Sequence, residues 1–283
     1  MAALLNHLKA IDRRIIFLIL FVSVVLSFLF PQKLKVPIEP SVEKAYQALN
    51  ALKPGDLVFI SFDYGPATMP EIHPAAAAMM RQLFQRHVKI AMMTLWNEGL
   101  PMIQDAVREV CVPLKEKPNV DYVNFGFKYG GLTGASVITE LGKNLENVFP
   151  VTNDGVPYNK VPMLKGVRNL KQFKLVISLS AGYPGTVEYI QYEEGVYHVP
   201  IVAAVSKVMA PSIFPFLQSG QLKGVCSGLL GSAEYEELVH HPGFGLIGLF
   251  ALSVSQIVIL VFILLGNIIY FGEKFYEKGN LKK

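Results

Sequence analysis

The chain has 283 residues, of which 52% are hydrophobic and 17% charged, and its mean hydropathy is +0.37. These values exclude an ordinary soluble domain, in which roughly 25% of the residues are charged. The net charge of +4 comes partly from basic residues beside apolar runs, so we expect no nucleic-acid partner.

Two uncharged apolar runs, at residues 15–32 and 244–272, predict membrane helices. A spanning helix needs about 20 apolar residues, and the second run exceeds this length. The first run is marginal and gains length if Pro31 and Gln32 lie in the headgroup region. A cleaved signal peptide is the alternative for the first run. The residues after it lack a small-x-small cleavage site, which favours an uncleaved anchor.

The basic residues predict the orientation of both helices. Lys9, Arg13 and Arg14 precede the first run, with Lys33 and Lys35 after it, and Lys274, Lys278, Lys282 and Lys283 follow the second run, which therefore determines the orientation better. By the positive-inside rule, residues 1–14 and 273–283 are then cytoplasmic, and residues 33–243 form a domain outside the cytoplasm. We therefore expect a two-pass protein of the bacterial inner membrane with a periplasmic or extracellular central domain.

The central region alternates between short apolar strands and helices. A linker at residues 32–40 leads to a predicted helix at Ser41–Leu52, with Ser41 as its N-cap. The predicted strands are Leu57–Phe62, Lys89–Leu95, Tyr122–Phe125, Lys174–Ser180, Pro200–Val205 and Gly224–Cys226. The helices between and after them are Pro70–Gln85, Leu100–Val110, Gly134–Leu141, Gly185–Glu193, Pro211–Gln218 and Leu229–Leu238.

This alternation predicts an α/β fold with a doubly wound, mostly parallel six-stranded sheet. Right-handed crossovers and a reversal after the third strand give the Rossmann-like strand order 3-2-1-4-5-6. The segment Asn144–Asn169 interrupts the rhythm. A loop of this length is either functional or carries small elements of its own, and we assign it to the crossover between the two halves of the sheet.

In sheets of this kind, ligands bind where the strand order reverses, beyond the carboxyl ends of the strands. Here that switch point lies between the first and fourth strands. The polar residues expected near it are Asp63, Tyr64, Glu71, His73, Trp96, Asn97, Glu98, Ser180 and Tyr183. Asp, Glu and His side chains that converge suit a metal ion or a small ligand. The interpretation that we favour is that Asp63 caps a turn, Glu71 complements the helix N-terminus and His73 is exposed.

Glycines follow the third predicted strand, at Gly130, Gly131 and Gly134. Backbone N–H groups at such a turn can face an anion. The dinucleotide fingerprint has a different place and spacing, so we expect no cofactor. Tight turns are the better account of these glycines.

Cys226 lies in a G-x-C-x-G turn, which has the shape of the nucleophile elbow of hydrolases. The histidines that follow, His240 and His241, abut the second apolar run, so a triad is unfavourable. Cys111 and Cys226 could also form a disulfide in an oxidising compartment. Each adjoins an apolar element, and we therefore favour two buried thiols.

Small residues recur at helical spacing in the second apolar run, at Gly245, Gly248, Ala251 and Ser255. A face of small residues lets helices approach closely in lipid. This pattern favours helix packing, either between the two membrane helices or between subunits.

Four segments of the central region share a further pattern: FDYGPATMPEIHPAAAAMMRQL, YVNFGFKYGG, LKQFKLVISLS and GQLKGVCSGLLGSAEYE. Together they resemble an uncharacterised family of bacterial membrane-anchored proteins. The resemblance covers roughly residues 57–236 and implies the same extracytoplasmic Rossmann-like unit. It carries over no catalytic residues. In that family the position of Cys226 is often not cysteine, which weakens the hydrolase interpretation.

These patterns lead us to expect a non-enzymatic structural subunit of a multi-subunit cell-envelope complex. Its partners would be the lipid bilayer and other membrane subunits or copies of itself. An extracytoplasmic sensor or binding module for a small ligand or anion is the first alternative. A metal-dependent or Cys hydrolase is the second.

Overall fold

A computed structural model describes residues 12–32, 35–131 and 134–280. The chain divides into two compact units. Lys35–Leu246 is one unit, and Met1–Leu34 together with Ile247–Lys283 is the other. Lys9, Lys33, Lys282 and Lys283, on which part of the predicted orientation depends, lie outside the described residues.

The larger unit contains a six-stranded sheet. Its strands are β1 (Leu57–Asp63), β2 (Lys89–Thr94), β3 (Tyr122–Phe127), β4 (Leu175–Ser180), β5 (Ile201–Val205) and β6 (Leu222–Ser227). Their order is β3-β2-β1-β4-β5-β6, and every neighbouring pair is parallel. The predicted α/β class and strand order are therefore confirmed, and the sheet is parallel throughout rather than mostly so.

Helices cover both faces of this sheet. The main helices of the chain, in order, are α1 (Arg13–Leu29), α2 (Pro40–Asn50), α3 (Met69–Gln85), α4 (Gly99–Ala106), α5 (Ala135–Leu141), α6 (Leu145–Val148), α7 (Thr186–Tyr189), α8 (Ala210–Gln218), α9 (Gly228–Leu238) and α10 (Phe244–Asn280). Successive residues of a strand point to opposite faces of the sheet, so each strand contributes to two cores. Ile60 and Ile177 belong to the core under α2, α3, α4 and α9. Phe59 and Val176 belong to the core on the opposite face, with α5, α6 and α8.

Two helices continue through a π-helical turn. After α4, such a turn spans Val107–Cys111, and after α7 another spans Ile190–Glu194. The first holds Glu109, and the second holds Glu193 and Glu194. Single π turns inside α-helices are frequent at functional sites.

The interrupting segment Asn144–Asn169 carries small elements of its own, as one of the two sequence interpretations proposed. Besides α6 it contains two 3₁₀ turns, Tyr158–Lys160 and Pro162–Leu164. Its aromatic residues belong to the second core, where the rings of Phe125 and Phe149 stack at 4.4 Å. The segment therefore covers one face of the sheet.

In the smaller unit, α10 is the one described helix long and apolar enough to cross a membrane, over Phe244–Gly272. Two such helices were predicted. The first predicted run corresponds to α1, which has 17 residues and so lies at the lower limit of roughly 17 for a span; it is not among the candidate spans. Of the small residues of α10, Gly245, Gly248 and Ala251 are buried and Ser255 is half-buried.

Candidate functional site

Asp63 is the last residue of β1 and is fully buried. Its carboxylate accepts hydrogen bonds from the Leu95 backbone N–H and the Ser61 hydroxyl, each at 2.7 Å. Burial raises the pKa of this carboxyl to about 7, although both hydrogen bonds act in the opposite direction. Asp63 thus lies inside the strand with satisfied partners, and it does not cap a turn.

Glu71 lies in the first turn of α3 but is bound to elements other than β1. One carboxylate oxygen accepts a hydrogen bond of 2.7 Å from the backbone N–H of Lys207, in the loop after β5. The backbone carbonyl of Glu71 accepts one from the Ser232 hydroxyl of α9. Asp63, Glu71 and His73 therefore have separate partners. Among the residues that the structure describes, no group of three or more His, Cys, Asp or Glu side chains could hold a metal ion.

The switch point between β1 and β4 is closely packed. The indole N–H of Trp96 donates to the backbone carbonyl of Pro184 at 2.8 Å. The Ser180 hydroxyl donates to the Gly182 carbonyl at 2.9 Å. Tyr183, in contrast, is 56% exposed and faces outward. These contacts occupy the place where the sequence left a polar pocket as an alternative.

The glycine turn packs against this same region. A Cβ atom at Gly134 would lie 2.8 Å from Cβ of Pro184, and one at Gly130 would lie 2.8 Å from Cα of Gly134. Gly131 has a φ of +76°, which favours glycine. Close packing and a left-handed backbone therefore account for these glycines without an anion.

Three polar side chains lie in a series: Tyr64 after β1, His73 on α3 and Glu109 on the π turn after α4. The Tyr64 hydroxyl, fully buried, lies 2.7 Å from Nδ1 of His73. Nε2 of His73 lies 3.4 Å from Oε2 of Glu109. His73 is only 5% exposed. The prediction that its side chain is exposed is therefore wrong. Glu109 is also 3.5 Å from Arg81, and the pKa of its carboxyl is lowered chiefly by its contact with His73.

The same histidine lines a cavity of about 310 Å³. Its other lining residues are Met69, Pro70, Pro74, Glu109, Glu236 and Phe244. Most of this wall is apolar. Nε2 of His73 is buried and has no hydrogen-bond partner of good geometry among the described residues. The cavity thus combines an apolar wall with a polar end.

Glu236 closes one side of the cavity by binding the start of α10. Its carboxylate accepts three backbone hydrogen bonds of 2.9 Å, from Gly243, Gly245 and Leu246. Burial raises the pKa of this carboxyl, while the three N–H groups lower it. The role of Glu236 is therefore to hold the segment that leads into α10.

Both cysteines are free and buried, as the sequence favoured. Burial raises the pKa of the Cys226 thiol well above its ordinary value and that of Cys111 to about 12. A thiol is a nucleophile only as the thiolate. The structure therefore gives the G-x-C-x-G turn no activated nucleophile.

Sequence reasoning missed both acidic residues of the cavity, Glu109 and Glu236. Glu109 lies 36 positions after His73, and no spacing rule joins residues on two different helices. The π turn that holds Glu109 also has no signature in the sequence. Glu236 had a local signal, since Gly243 and Gly245 follow it closely and offer unhindered N–H groups.

Comparison with protein-family models, curated proteins and solved structures finds no match to this chain. The resemblance to bacterial membrane-anchored proteins therefore remains a prediction from the sequence.

Proposed function

We propose that this protein is a membrane-anchored, non-catalytic interaction subunit of a multi-subunit assembly in the bacterial cell envelope. The observation that carries the proposal is that apolar side chains are exposed at or just beyond the carboxyl ends of three strands. Phe127 ends β3 and Tyr129 follows it, Tyr183 follows β4, and Val208 follows β5. Val208 is 87% exposed and Tyr129 is 72% exposed.

Exposed apolar groups gathered in one region mark interaction surfaces, and tyrosine is enriched at such surfaces. The carboxyl edge is also where parallel sheets usually bind ligands. Here the switch point is filled by Trp96 and Pro184. Because the switch point is filled and the side chains exposed around it are apolar, this edge is better suited to bind a protein than a small molecule.

Anchoring by two helices is part of the proposal. The C-terminal helix α10 has the length and composition of a span. The N-terminal helix α1 supports a second one, because its apolar side chains are largely exposed, including Phe17, Phe21 and Leu29 at 65% each. In water such a surface would be unfavourable, whereas lipid accommodates it.

The experiment is extraction of the full chain in a mild detergent, followed by native mass spectrometry. We expect a complex larger than one chain, and we expect Val208→Asp and Tyr129→Asp to shift it towards the monomer. The matched control is Val112→Asp, a 63% exposed valine near the opposite edge of the sheet. A wild-type protein that is monomeric and free of co-purifying chains would contradict the proposal.

A further inference from the structure

A second cavity, of about 550 Å³, lies at the amino edge of the sheet. The sheet is parallel throughout, so the residues that precede its strands meet at this edge. Asp56 precedes β1, Lys174 precedes β4 and Pro200 precedes β5. The other lining residues come from the end of α2, the turn after it, β4 and β6: Ala48, Ala51, Leu52, Lys53, Leu175 and Lys223. The volume falls within the ~300–1,000 Å³ of pockets that bind small molecules.

Three lysines from three separate segments line this cavity. Lys53 follows α2, Lys174 precedes β4, and Lys223 is the second residue of β6. All three side chains are exposed. The pairing of β6 with β5 skips Lys223, which is therefore the extra residue of a β-bulge. Bulges of this kind re-aim a side chain, and they are frequent beside binding sites.

The ammonium groups of these lysines have hydrogens left for a ligand. Among the described residues, those of Lys53 and Lys174 have no hydrogen-bond or ion-pair partner. The ammonium group of Lys223 donates to the Gly220 carbonyl at 2.8 Å, which uses one of its three hydrogens. The carboxylate of the lining belongs to Asp56, which is half-buried and accepts the backbone N–H of Lys53 at 2.8 Å. Three lysines against one aspartate give the lining a net charge of +2.

This charge selects the head group of a ligand. A phosphate monoester carries a charge of about −1.5 to −2 at pH 7 and offers three acceptor oxygens. Lysine binds phosphate as a point charge, whereas the planar fork of arginine is the better match for a carboxylate. The described lining contains lysines and no arginine. A phosphate monoester is therefore favoured over a carboxylate.

The remaining wall selects the body of the ligand. Ala48, Ala51, Leu52, Leu175 and Pro200 have apolar side chains, and none of them is aromatic. Nucleobases bind well where aromatic rings stack on them, so this wall does not suit a nucleotide. An aliphatic chain would instead cover the apolar side chains and remove their surface from water.

We propose that this cavity binds the phosphate monoester of an aliphatic alcohol. Its phosphate lies among the ammonium groups of Lys53, Lys174 and Lys223, and its hydrocarbon lies against Leu52 and Leu175. The segment that leads to Lys174 does not oppose such a ligand, since residues 155–187 contain no Asp or Glu. The site is at the opposite edge of the sheet from the proposed partner surface, and it does not rest on the proposed function.

The test uses the full chain in a mild detergent and isothermal titration calorimetry at pH 7.5. The four ligands are pentyl phosphate, pentyl sulfate, inorganic phosphate and pentan-1-ol. Pentyl sulfate has the same chain and a tetrahedral head with a single charge, inorganic phosphate lacks the chain, and pentan-1-ol lacks the charge. We expect pentyl phosphate to bind about fivefold or more tightly than each of the others, which corresponds to one exposed ion pair.

One pair of variants locates the recognition of the phosphate. Lys174→Met keeps most of the side chain but removes the charge, and it should weaken the binding of pentyl phosphate about fivefold. Lys143→Met is the control, because Lys143 is an exposed lysine just after α5, and it should bind like the wild type. Thermal unfolding verifies that both variants are folded.

Lysine acetylation, read by mass spectrometry, tests the site in the wild-type chain and remains decisive if Lys174→Met does not fold. Pentyl phosphate should protect Lys53, Lys174 and Lys223 from acetylation and leave Lys143 reactive. The same experiment in nanodiscs that contain phosphatidate distinguishes two sources of the phosphate monoester. Protection without added ligand assigns the site to a lipid head group, and protection by pentyl phosphate alone assigns it to a soluble ester.

Absence of binding by pentyl phosphate, or equal affinities for pentyl phosphate and pentyl sulfate, would overturn the proposal. Equal losses in Lys174→Met and Lys143→Met, or equal protection of Lys143, would show a general attraction of anions to a basic protein and would overturn it as well. The assay contains no partner protein. A failure of the subunit proposal, read from the mass of the extracted complex, is therefore distinguishable from a failure here.

Discussion

The Asp63 carboxylate accepts a hydrogen bond from the backbone N–H of Leu95 at 2.7 Å, which ties the end of β1 to the residue after β2. Both residues are buried, and burial raises the pKa of the carboxyl to about 7 from an ordinary value of 3.8. The folded state therefore retains a proton that the unfolded state releases as the pH rises from about 4 to about 7.

The first prediction concerns Asp63→Asn. By linkage, stability that Asp63 contributes at low pH is lost as the pH rises through this window, by up to ~4 kcal/mol. The asparagine side chain has no proton to lose and can keep both hydrogen bonds. We expect the free energies of unfolding of variant and wild type to be similar near pH 4 and to favour the variant increasingly up to pH 7.5. Urea unfolding of the detergent-solubilised chain at several pH values measures this. A difference in the free energy of unfolding that stays the same at every pH would contradict the prediction.

The second prediction concerns Glu193, on the π turn after α7. It is fully buried, neither carboxylate oxygen has a hydrogen-bond partner among the described residues, and burial raises the pKa of the carboxyl to about 8. Lys171 acts against this shift without cancelling it. The raised pKa means that stability falls as the pH rises from about 4.5 to about 8.

Glu193→Met removes the buried charge while nearly keeping the side-chain volume. We expect a higher melting temperature than in the wild type, with a larger difference at pH 8.5 than at pH 5. Glu194→Met is the control, since Glu194 is only half-buried, and it should change stability by less than about 0.5 kcal/mol. A difference that does not grow with pH would refute the assignment of a destabilising buried carboxylate.

The third prediction concerns the contact between β6 and α2. A Cβ atom at Gly224 would lie 2.5 Å from Cα and 2.8 Å from Cβ of Ala45, and a helix backbone cannot yield as a flexible side chain can. We expect Gly224→Ala to destabilise the domain by about 1–3 kcal/mol through overpacking. Gly195→Ala is the matched control, because its nearest neighbour would be 3.4 Å away and alanine favours the helix. Equal melting temperatures for the two variants would contradict the packing argument.

The sheet was predictable because it depends on patterns that lie within single segments. The strand that ends at Asp63 and the helix that begins near Pro70 are each recognisable from about ten residues, and crossover handedness then fixes their order. All six predicted strands are observed within two residues at each end.

The site was not predictable because it depends on contacts between segments. His73 and Glu109 meet only when α3 and the π turn after α4 pack together, and the burial of His73 follows from the same packing. Asp63 illustrates the same limit: the end of its strand was expected, but Leu95 as its partner depends on the register of β2. A composition rule places acidic residues at helix starts, yet Glu71 binds the distant Lys207 backbone.

The fourth prediction concerns the hydrogen bond between Tyr64 and His73. Tyr64→Phe removes the hydroxyl and leaves Nδ1 of a buried histidine without its hydrogen-bond partner. An unsatisfied buried polar atom costs about 1–3 kcal/mol, so we expect a lower melting temperature. Tyr129→Phe is the control, because Tyr129 is 72% exposed and should be neutral. Equal effects of the two variants on the melting temperature would show that the hydroxyl is not a structural donor.

The fifth prediction concerns the orientation of the chain in the membrane. Introduced cysteines can report it, because Cys111 and Cys226 are buried and the pKa of each thiol is raised, which leaves the native chain unreactive. Val112→Cys lies on the folded domain, away from the proposed partner surface, and Lys274→Cys lies just beyond the candidate span. Basic residues after a span favour the cytoplasm. We therefore expect a membrane-impermeant maleimide to label the cysteine introduced at position 112 in intact spheroplasts and the one at position 274 only after permeabilisation. The reverse pattern would place the α/β domain in the cytoplasm and remove the cell-envelope partners from the proposed function.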